Sequence, residues 1–282
     1  MKCNCHMHMV LDGVSWKAAI ARHTDRPDDG FIREILTRYH SLGYTYLRDG
    51  GDKLGASALA KRLAPEYGIT YRTPLAPLSM AGHYGGFIGL QYETLKDYTA
   101  LVLSQKTQGA DFVKIMISGL MDFDRFGVLT EEGLPADEIR ELIHIAHEEG
   151  FSVMAHANGA RTVEAAAAAS VDSVEHGAYL DRDALCAMVE NGAVWVPTLS
   201  TVGNLRGKGR FCEDAVCRIL ECAMENVSQF AQMGGLLAAG SDAGAWAVTH
   251  GMDSEWDLLT QAVGADVFAI VNRGNNRICQ LF

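Results

Sequence analysis

Two histidines near the start of the chain are the first residues whose spacing suits metal chemistry. His6 and His8 stand in CNCHMHM, beside Cys3 and Cys5. Side chains two residues apart point to the same face of a β-strand, so the two imidazoles can hold one metal ion. The cysteines occupy the alternate positions and are expected on the opposite face, and no second Cys/His pair follows nearby to complete a structural zinc site. We therefore interpret the pair as part of a catalytic metal site, with two hydrogen-bonded core histidines as the alternative.

A lysine interrupts an apolar segment further along the chain. Lys114 lies in FVKIMISG, where an unpaired ammonium would be unfavourable to bury. One interpretation is an ion pair with a carboxylate of a neighbouring strand, such as Asp49 or Glu175. The other is a lysine that has reacted with carbon dioxide and become an anionic oxygen ligand, able to bridge two metal ions.

Three more polar residues stand near the ends of apolar segments. They are His156 in VMAHANG, His176 in VEHG and Asp242 in AAGSDAG. Any one of them could be a hydrogen-bonded core group. The same pattern in five segments is harder to explain by packing alone, so it favours one shared site.

The elements that position these residues are short apolar segments that alternate with segments of helical spacing, which is typical of β-α units. We predict eight strand segments, at residues 2–9, 44–49, 68–76, 112–119, 151–158, 170–177, 193–199 and 236–243. Helices are predicted at 93–107, 135–150 and 213–232. Eight parallel strands joined by helices close into a (β/α)8 barrel, whose active site lies at the carboxyl ends of the strands.

Composition narrows the function further. Length alone would suggest two domains for 282 residues, but (β/α)8 barrels often use about 200 to 250 residues as one domain, so we expect a single domain over residues 1–282. The 48% of hydrophobic and 21% of charged residues are typical of a packed protein. The net charge of -11 disfavours nucleic acid and anionic membranes as partners. Small molecules or dipeptides are the expected substrates. The seven cysteines are odd in number and no apolar leader is evident, so we expect a cytoplasmic location.

Taken together, these motifs resemble the amidohydrolase superfamily, metal-dependent hydrolases built on a (β/α)8 barrel. The resemblance rests on HxH at 6–8, VKIMISG, MAHANG, VEHGAYLD, and GSDAG followed by His250 and Gly251, and it spans residues 3 to about 280. The lysine is typical of the binuclear branch. The motifs VKIM, VEHG, VPTL and SDAG are similar to those of imidazolonepropionase-like and Xaa-Pro dipeptidase-like members. Adenosine-deaminase relatives have a glutamate where this chain has Gly159, which disfavours a deaminase.

The resemblance implies a site with two divalent metal ions, zinc being favoured although manganese, iron or cobalt suit the same ligands. One ion would be held by His6, His8 and Asp242, and the second by His156 and His176. A carboxylated Lys114 and a hydroxide would bridge them. Asp242 would also be catalytic, taking the proton of the hydroxide and passing it to the leaving amine.

Outside the metal ligands, the resemblance implies two substrate-binding residues and one structural pair. His83, in LSMAGHYGG, and Tyr179 are candidates to hold a substrate carboxylate, the alternatives being a surface histidine and a packed tyrosine. Arg48 and Asp49 are expected to have a structural role or to orient the metal ligands through hydrogen bonds.

The predicted function is hydrolysis of an amide bond in a dipeptide or N-acyl amino acid. A cyclic amide or lactone hydrolase is an alternative on the same site, and a noncatalytic metal-binding barrel is an alternative of another class. The sequence begins at the first predicted strand and stops at NNRICQLF. Two interpretations are open: a barrel that lacks most of the flanking β-sandwich of relatives, or an incomplete sequence. In the first case, the less covered end of the first strand leaves room for association between copies of the chain.

Overall fold

The computed structural model describes residues 2–282, which form a mixed α/β structure. Its ten strands are β1 (Lys2–Met7), β2 (Tyr44–Asp49), β3 (Thr70–Arg72), β4 (Leu78–Met80), β5 (Leu90–Tyr92), β6 (Val113–Met116), β7 (Val153–Ala157), β8 (Ser173–His176), β9 (Val194–Val196) and β10 (Leu236–Leu237). Its helices are α1 (Trp16–His23), α2 (Asp29–Ser41), α3 (Ala56–Leu63), α4 (Leu95–Gln108), α5 (Ala136–Glu148), α6 (Ala160–Ala168), α7 (Arg182–Asn191), α8 (Ser200–Gly203), α9 (Glu213–Gln232), α10 (Ser254–Val263) and α11 (Val267–Leu281), with a 3₁₀ helix at Ala64–Tyr67.

The strands form two parallel sheets. One has the order β1-β2-β3 and the other the order β10-β9-β8-β7-β6-β4-β5. Backbone hydrogen bonds also connect segments that flank the two sheets. The His8 N–H, just after β1, donates to the Ala243 carbonyl, in the segment that follows β10, at 2.7 Å. The Asp111 N–H, just before β6, donates to the Thr73 carbonyl, just after β3, at 3.0 Å. The first sheet is thus linked to the second next to β10, an edge strand, and next to β6, an inner strand.

Every strand segment predicted from the sequence contains a strand. The second, YTYLRD, is β2 over its full length, and α9 has the predicted bounds of 213–232. On α5, the predicted apolar face is buried; it consists of Ile139, Leu142, Ile143 and Ala146. The structure adds β4 and β5, which lie outside the predicted segments.

The last helix, α11, packs against β1. The Cys5 thiol lies 3.4 Å from Asn275 Oδ1, and Cys3 Sγ lies 3.9 Å from Cys279 Sγ. The expected outward orientation of both β1 cysteines is therefore confirmed. The ring of Phe282 lies under the Arg48 guanidinium, with Cζ 4.4 Å from the ring centroid.

Among the helices of residues 2–282, none combines the length and apolar character needed to cross a membrane.

Candidate metal centre

The structure brings the predicted ligand residues together at the carboxyl ends of the strands. The cluster consists of His6, His8, Lys114, His156, His176 and Asp242. The ring centroids of His6 and His176 are 5.0 Å apart, and those of His156 and His176 are 4.6 Å apart. Lys114 Nζ lies 3.3 Å from His6 Nε2. Residues more than two hundred positions apart in the chain therefore share one small volume.

His6, His8 and Asp242 form the tightest part of this cluster. Each is buried, and one potential ligand atom from each lies within 4.8 Å of the others. Asp242 Oδ1 is 3.3 Å from His6 Nε2 and 3.2 Å from His8 Nε2, yet no donor is aligned with it for a hydrogen bond. His8 Nδ1 also has no hydrogen-bond partner. Buried polar atoms that lack partners fit a group that can hold a divalent cation, because two imidazoles and a carboxylate suit such an ion.

The ionisation of Asp242 fits this role. Burial raises the pKa of its carboxyl group, but the neighbouring His6 and His8 rings outweigh burial and hold the pKa well below 3.8. The carboxylate is therefore negatively charged at neutral pH. It offers both a ligand atom for a cation and an acceptor for a proton.

A buried chain of charged groups fixes the orientation of His6. Its Nδ1 lies 2.6 Å from Glu175 Oε2. Arg48 donates to Glu175 Oε1 at 2.7 Å, to Ser173 Oγ at 2.9 Å and to the Cys5 carbonyl at 2.7 Å. Because Glu175 occupies Nδ1, His6 presents Nε2 to the cluster. The supporting role expected for Arg48 thus has a direct structural basis.

The orientations of His156 and His176 are fixed in a similar way. His156 Nε2 lies 3.2 Å from the Gly119 carbonyl, and His176 Nδ1 lies 2.8 Å from Thr198 Oγ1. The remaining ring nitrogens, Nδ1 of His156 and Nε2 of His176, are the ones left for a ligand. Burial lowers the pKa of both rings, that of His156 to about 3. Both are therefore neutral imidazoles, the form that binds metals.

Lys114 is buried without an ion pair among residues 2–282. Glu175 is engaged by Arg48 and His6, while Asp49 accepts a hydrogen bond from the Tyr71 hydroxyl. The ion pairs considered for this lysine are thus not formed. Burial, partly opposed by the charges of nearby carboxylates, lowers the pKa of Lys114 to about 8. About a tenth of the amine is then neutral at pH 7, and the neutral amine is the form that reacts with carbon dioxide.

The backbone around the cluster is unusual in two ways. His176 and Asp242 adopt positive φ angles of 70° and 53°, which side-chain-bearing residues adopt only when their surroundings enforce it. At Gly50, a Cβ atom would lie 2.3 Å from His8 Cε1 and 3.0 Å from Lys114 Nζ. Glycine suits this position, because a side chain would displace His8 and Lys114 from their present places.

The two residues predicted to bind substrate lie in different surroundings. His83 is exposed, and its Nδ1 lies 3.4 Å from Glu131 Oε2. Tyr179 lines a narrow apolar crevice beside His176 and packs against Phe126, with ring centroids 5.5 Å apart. Tyr179 thus adjoins the cluster, whereas His83 faces the loop that carries Glu131.

Two residues of the site were not assigned by sequence reasoning. The sequence indicates Glu175 only as a partner for Lys114, although a carboxylate in an apolar strand is itself a signal of a buried network. The sequence does not indicate Tyr84, whose ring centroid lies 5.1 Å from that of His156. No pattern in the sequence distinguishes Tyr84 from its neighbour His83, because the direction of each side chain depends on the path of the loop.

Several solved structures superpose on nearly the whole of this chain. An Xaa-Pro dipeptidase with bound methionine superposes with a TM-score of 0.79 at 19% identity, covering 99% of this chain and 75% of that one. An amidohydrolase superposes with a TM-score of 0.81 at 21% identity, covering 99% and 74%. The chain shares the fold of these two structures. A prolidase in complex with N-methylphosphonate-L-proline superposes as well, with a TM-score of 0.77, 22% identity, and coverage of 98% and 74%. The resemblance indicated by the motifs is confirmed at the level of the fold.

Sequence comparisons are less extensive. No model of a known protein family matches the chain. Uncharacterized proteins of Mycobacterium tuberculosis and Mycobacterium bovis are 32% identical over 108 residues. That match covers 38% of this chain and 28% of the length of those relatives.

Proposed function

We propose that the chain is a metal-dependent hydrolase that cleaves an amide bond in a dipeptide or N-acyl amino acid. The observation that carries the proposal is the buried cluster of three fixed imidazoles, a carboxylate and an unpaired lysine at one end of the parallel strands. Likeness to Xaa-Pro dipeptidase, prolidase and amidohydrolase structures supports it. The ligands bound in two of those structures, methionine and a phosphonate derivative of proline, support the proposed substrate class.

We also infer that the two sheets form one (β/α)8 barrel and that residues 1–282 are a single domain. The hydrogen bonds between His8 and Ala243 and between Asp111 and Thr73 support this inference, because they link segments next to β1 and β10 and segments next to β3 and β6. In that arrangement, β4 pairs with β6, and β5 pairs with β4. A cytoplasmic location and association between copies of the chain remain predictions.

The proposed metal ligands are those of the cluster. His6, His8 and Asp242 would hold one divalent ion, His156 and His176 a second, and carboxylated Lys114 both. Zinc is the ion that this mixture of imidazole and oxygen ligands favours. When bound, the ions would lower the pKa of water and polarise the carbonyl group of the substrate.

The chain's own residues would handle protons and orient the substrate. Asp242, ionised at neutral pH, accepts the proton of the attacking water and passes it to the departing amine. Tyr179, beside the crevice, and His83, at the rim, would hold the carboxylate of the substrate. Arg48 and Glu175 keep His6 in place without touching the substrate.

The test combines metal analysis with a substrate screen. Protein expressed with zinc or manganese is expected to contain near two metal equivalents and to hydrolyse members of a panel of dipeptides, N-acyl amino acids, cyclic amides and lactones. An Asp242→Asn variant should lose about 10²-fold or more in kcat, the size of a general acid-base contribution, and lose less in metal content. Hydrolysis of lactones or cyclic amides alone would select the alternative substrate class. Bound metal with no turnover would select a noncatalytic metal-binding protein, and no bound metal would refute the proposal.

A further inference from the structure

The loop between β4 and β5 places Tyr84 over the cluster of proposed metal ligands. The Tyr84 ring lies 5.1 Å from the His156 ring and 5.9 Å from the Phe87 ring, measured between centroids. The preceding residue, His83, is exposed and directed towards Glu131. Of the two neighbouring polar side chains in this loop, Tyr84 is therefore the one that reaches the cluster.

The loop is held in this position by contacts from three directions. The backbone N–H of Tyr84 donates to Glu131 Oε2 at 3.0 Å. Lys53 donates from Nζ to the Gly86 carbonyl at 2.6 Å and from its backbone N–H to the Ile88 carbonyl at 2.7 Å. At Gly85, with φ 113°, a Cβ atom would lie 2.8 Å from Met116 Cγ on β6. Tyr84 is thus a positioned group, with little freedom to swing away from the site.

The Tyr84 hydroxyl makes no hydrogen bond with another side chain or backbone group of residues 2–282, although its ring is packed against the cluster. A phenol carries its proton at neutral pH, and the carboxylates of Asp242 and Glu131 are its negatively charged neighbours. The same two carboxylates would repel a carboxylate of the substrate. A phenol donor in this setting suits an uncharged carbonyl oxygen, or the oxygen that becomes negative as that carbonyl is attacked.

We propose that Tyr84 is a catalytic residue whose hydroxyl donates a hydrogen bond to the oxygen of the scissile carbonyl. This inference rests on the proposed amide hydrolysis. It assigns to Tyr84 the stabilisation of the tetrahedral state, and it leaves recognition of the substrate carboxylate to other residues. The interaction strengthens as negative charge develops on the oxygen, so it acts on turnover more than on substrate binding.

The test is a Tyr84→Phe variant of the metal-loaded protein, which removes only the hydroxyl. Its kcat is expected to fall about 10²-fold, the effect of removing one oxyanion donor, while KM and metal content stay close to those of the parent. Binding of a phosphonate analogue of a dipeptide, measured by calorimetry, should weaken by a similar factor because the phosphonate mimics the tetrahedral state. Tyr92→Phe is the matched control: the Tyr92 hydroxyl is buried without a partner on β5, and its removal should change none of these values.

The outcomes separate the two proposals. A parent protein that hydrolyses an amide, with a Tyr84→Phe variant that keeps its kcat and its phosphonate affinity, overturns the role of Tyr84 alone. A variant that changes only KM also overturns it, since a donor to the tetrahedral state must affect kcat. A metal-loaded parent that neither hydrolyses amides nor binds the phosphonate refutes the proposed function, and the role of Tyr84 with it.

Discussion

Replacing Glu175 with glutamine perturbs the buried chain that runs from Arg48 to His6. Glu175 accepts from Arg48 at 2.7 Å and lies 2.6 Å from His6 Nδ1, and all three side chains are buried. Burial raises the pKa of Glu175, but Arg48 and His6 outweigh it and lower the pKa overall. The carboxylate is therefore ionised and compensates the buried guanidinium. Glutamine has one acceptor oxygen and no charge, so it cannot serve both neighbours.

Two effects of different size are expected. Leaving a buried ion without its partner destabilises proteins by about 3–5 kcal/mol, and the remaining amide oxygen should hold the loss near the lower end of that range. The metal affinity should fall by about 10–100-fold, the usual effect of removing the group that orients a histidine ligand. Urea unfolding of the metal-free protein measures the first effect, and competition with a chelator measures the second.

A double variant separates the two effects. Arg48→Met combined with Glu175→Gln removes both charges, so no buried ion is left unpaired and most of the lost stability should return. The metal affinity should stay low, because His6 still lacks its carboxylate. Glu164→Gln, on the exposed face of α6, is the control for a loss of one negative charge. Parental metal affinity in both Glu175 variants would refute the view that this chain positions His6.

Three further predictions follow from buried groups near the site. Lys114→Met should abolish binding of the two proposed metal ions. It should also stabilise the metal-free protein at pH 7 by up to about 3 kcal/mol, since burial lowers the lysine pKa from 10.5 to about 8. The parent alone should gain stability as pH rises from 8 to 10.5, because only its unfolded state then still binds the proton; an equal pH dependence of the unfolding free energy in parent and variant, measured in urea, would contradict this. Gly50→Ala should leave the fold intact and weaken metal binding at least tenfold in a chelator competition, because its methyl group would displace the His8 ring. Burial raises the pKa of Glu255 from 4.5 to about 7, so between these pH values the folded state keeps a proton that the unfolded state loses. The free energy of unfolding should therefore fall by up to about 3 kcal/mol as the pH rises from 4.5 to 7. Glu255→Gln should remove this fall, whereas Asp257→Asn, at an exposed position of the same helix, should not.

Local signals in the sequence predicted the main elements and the members of the cluster. The lysine in VKIM and the histidines that end MAH and VEH are recognisable as site residues from the sequence alone, because a polar group in a buried strand is costly unless it has a function or a partner. The bounds of α9 were likewise predictable from its helical spacing and length.

Other features depend on contacts that no local pattern encodes. β4 and β5 are three residues each and are defined by their pairing partners, β6 among them. Whether His83 or Tyr84 faces the cluster depends on the path of a glycine-rich loop, which is fixed by distant groups such as Glu131 and Lys53. The choice of Arg48, instead of Lys114, as the partner of Glu175 is decided by three-dimensional packing.

The contact between Phe282 and Arg48 connects the opposite end of the strands to the proposed metal site. Phe282 lies under the guanidinium, Arg48 holds Glu175, and Glu175 holds His6. A genetic screen for altered metal preference would therefore recover substitutions in the last turn of α11 alongside those in the ligands themselves. Sequence drift in that turn, far from any substrate, would be constrained by the ion the protein uses.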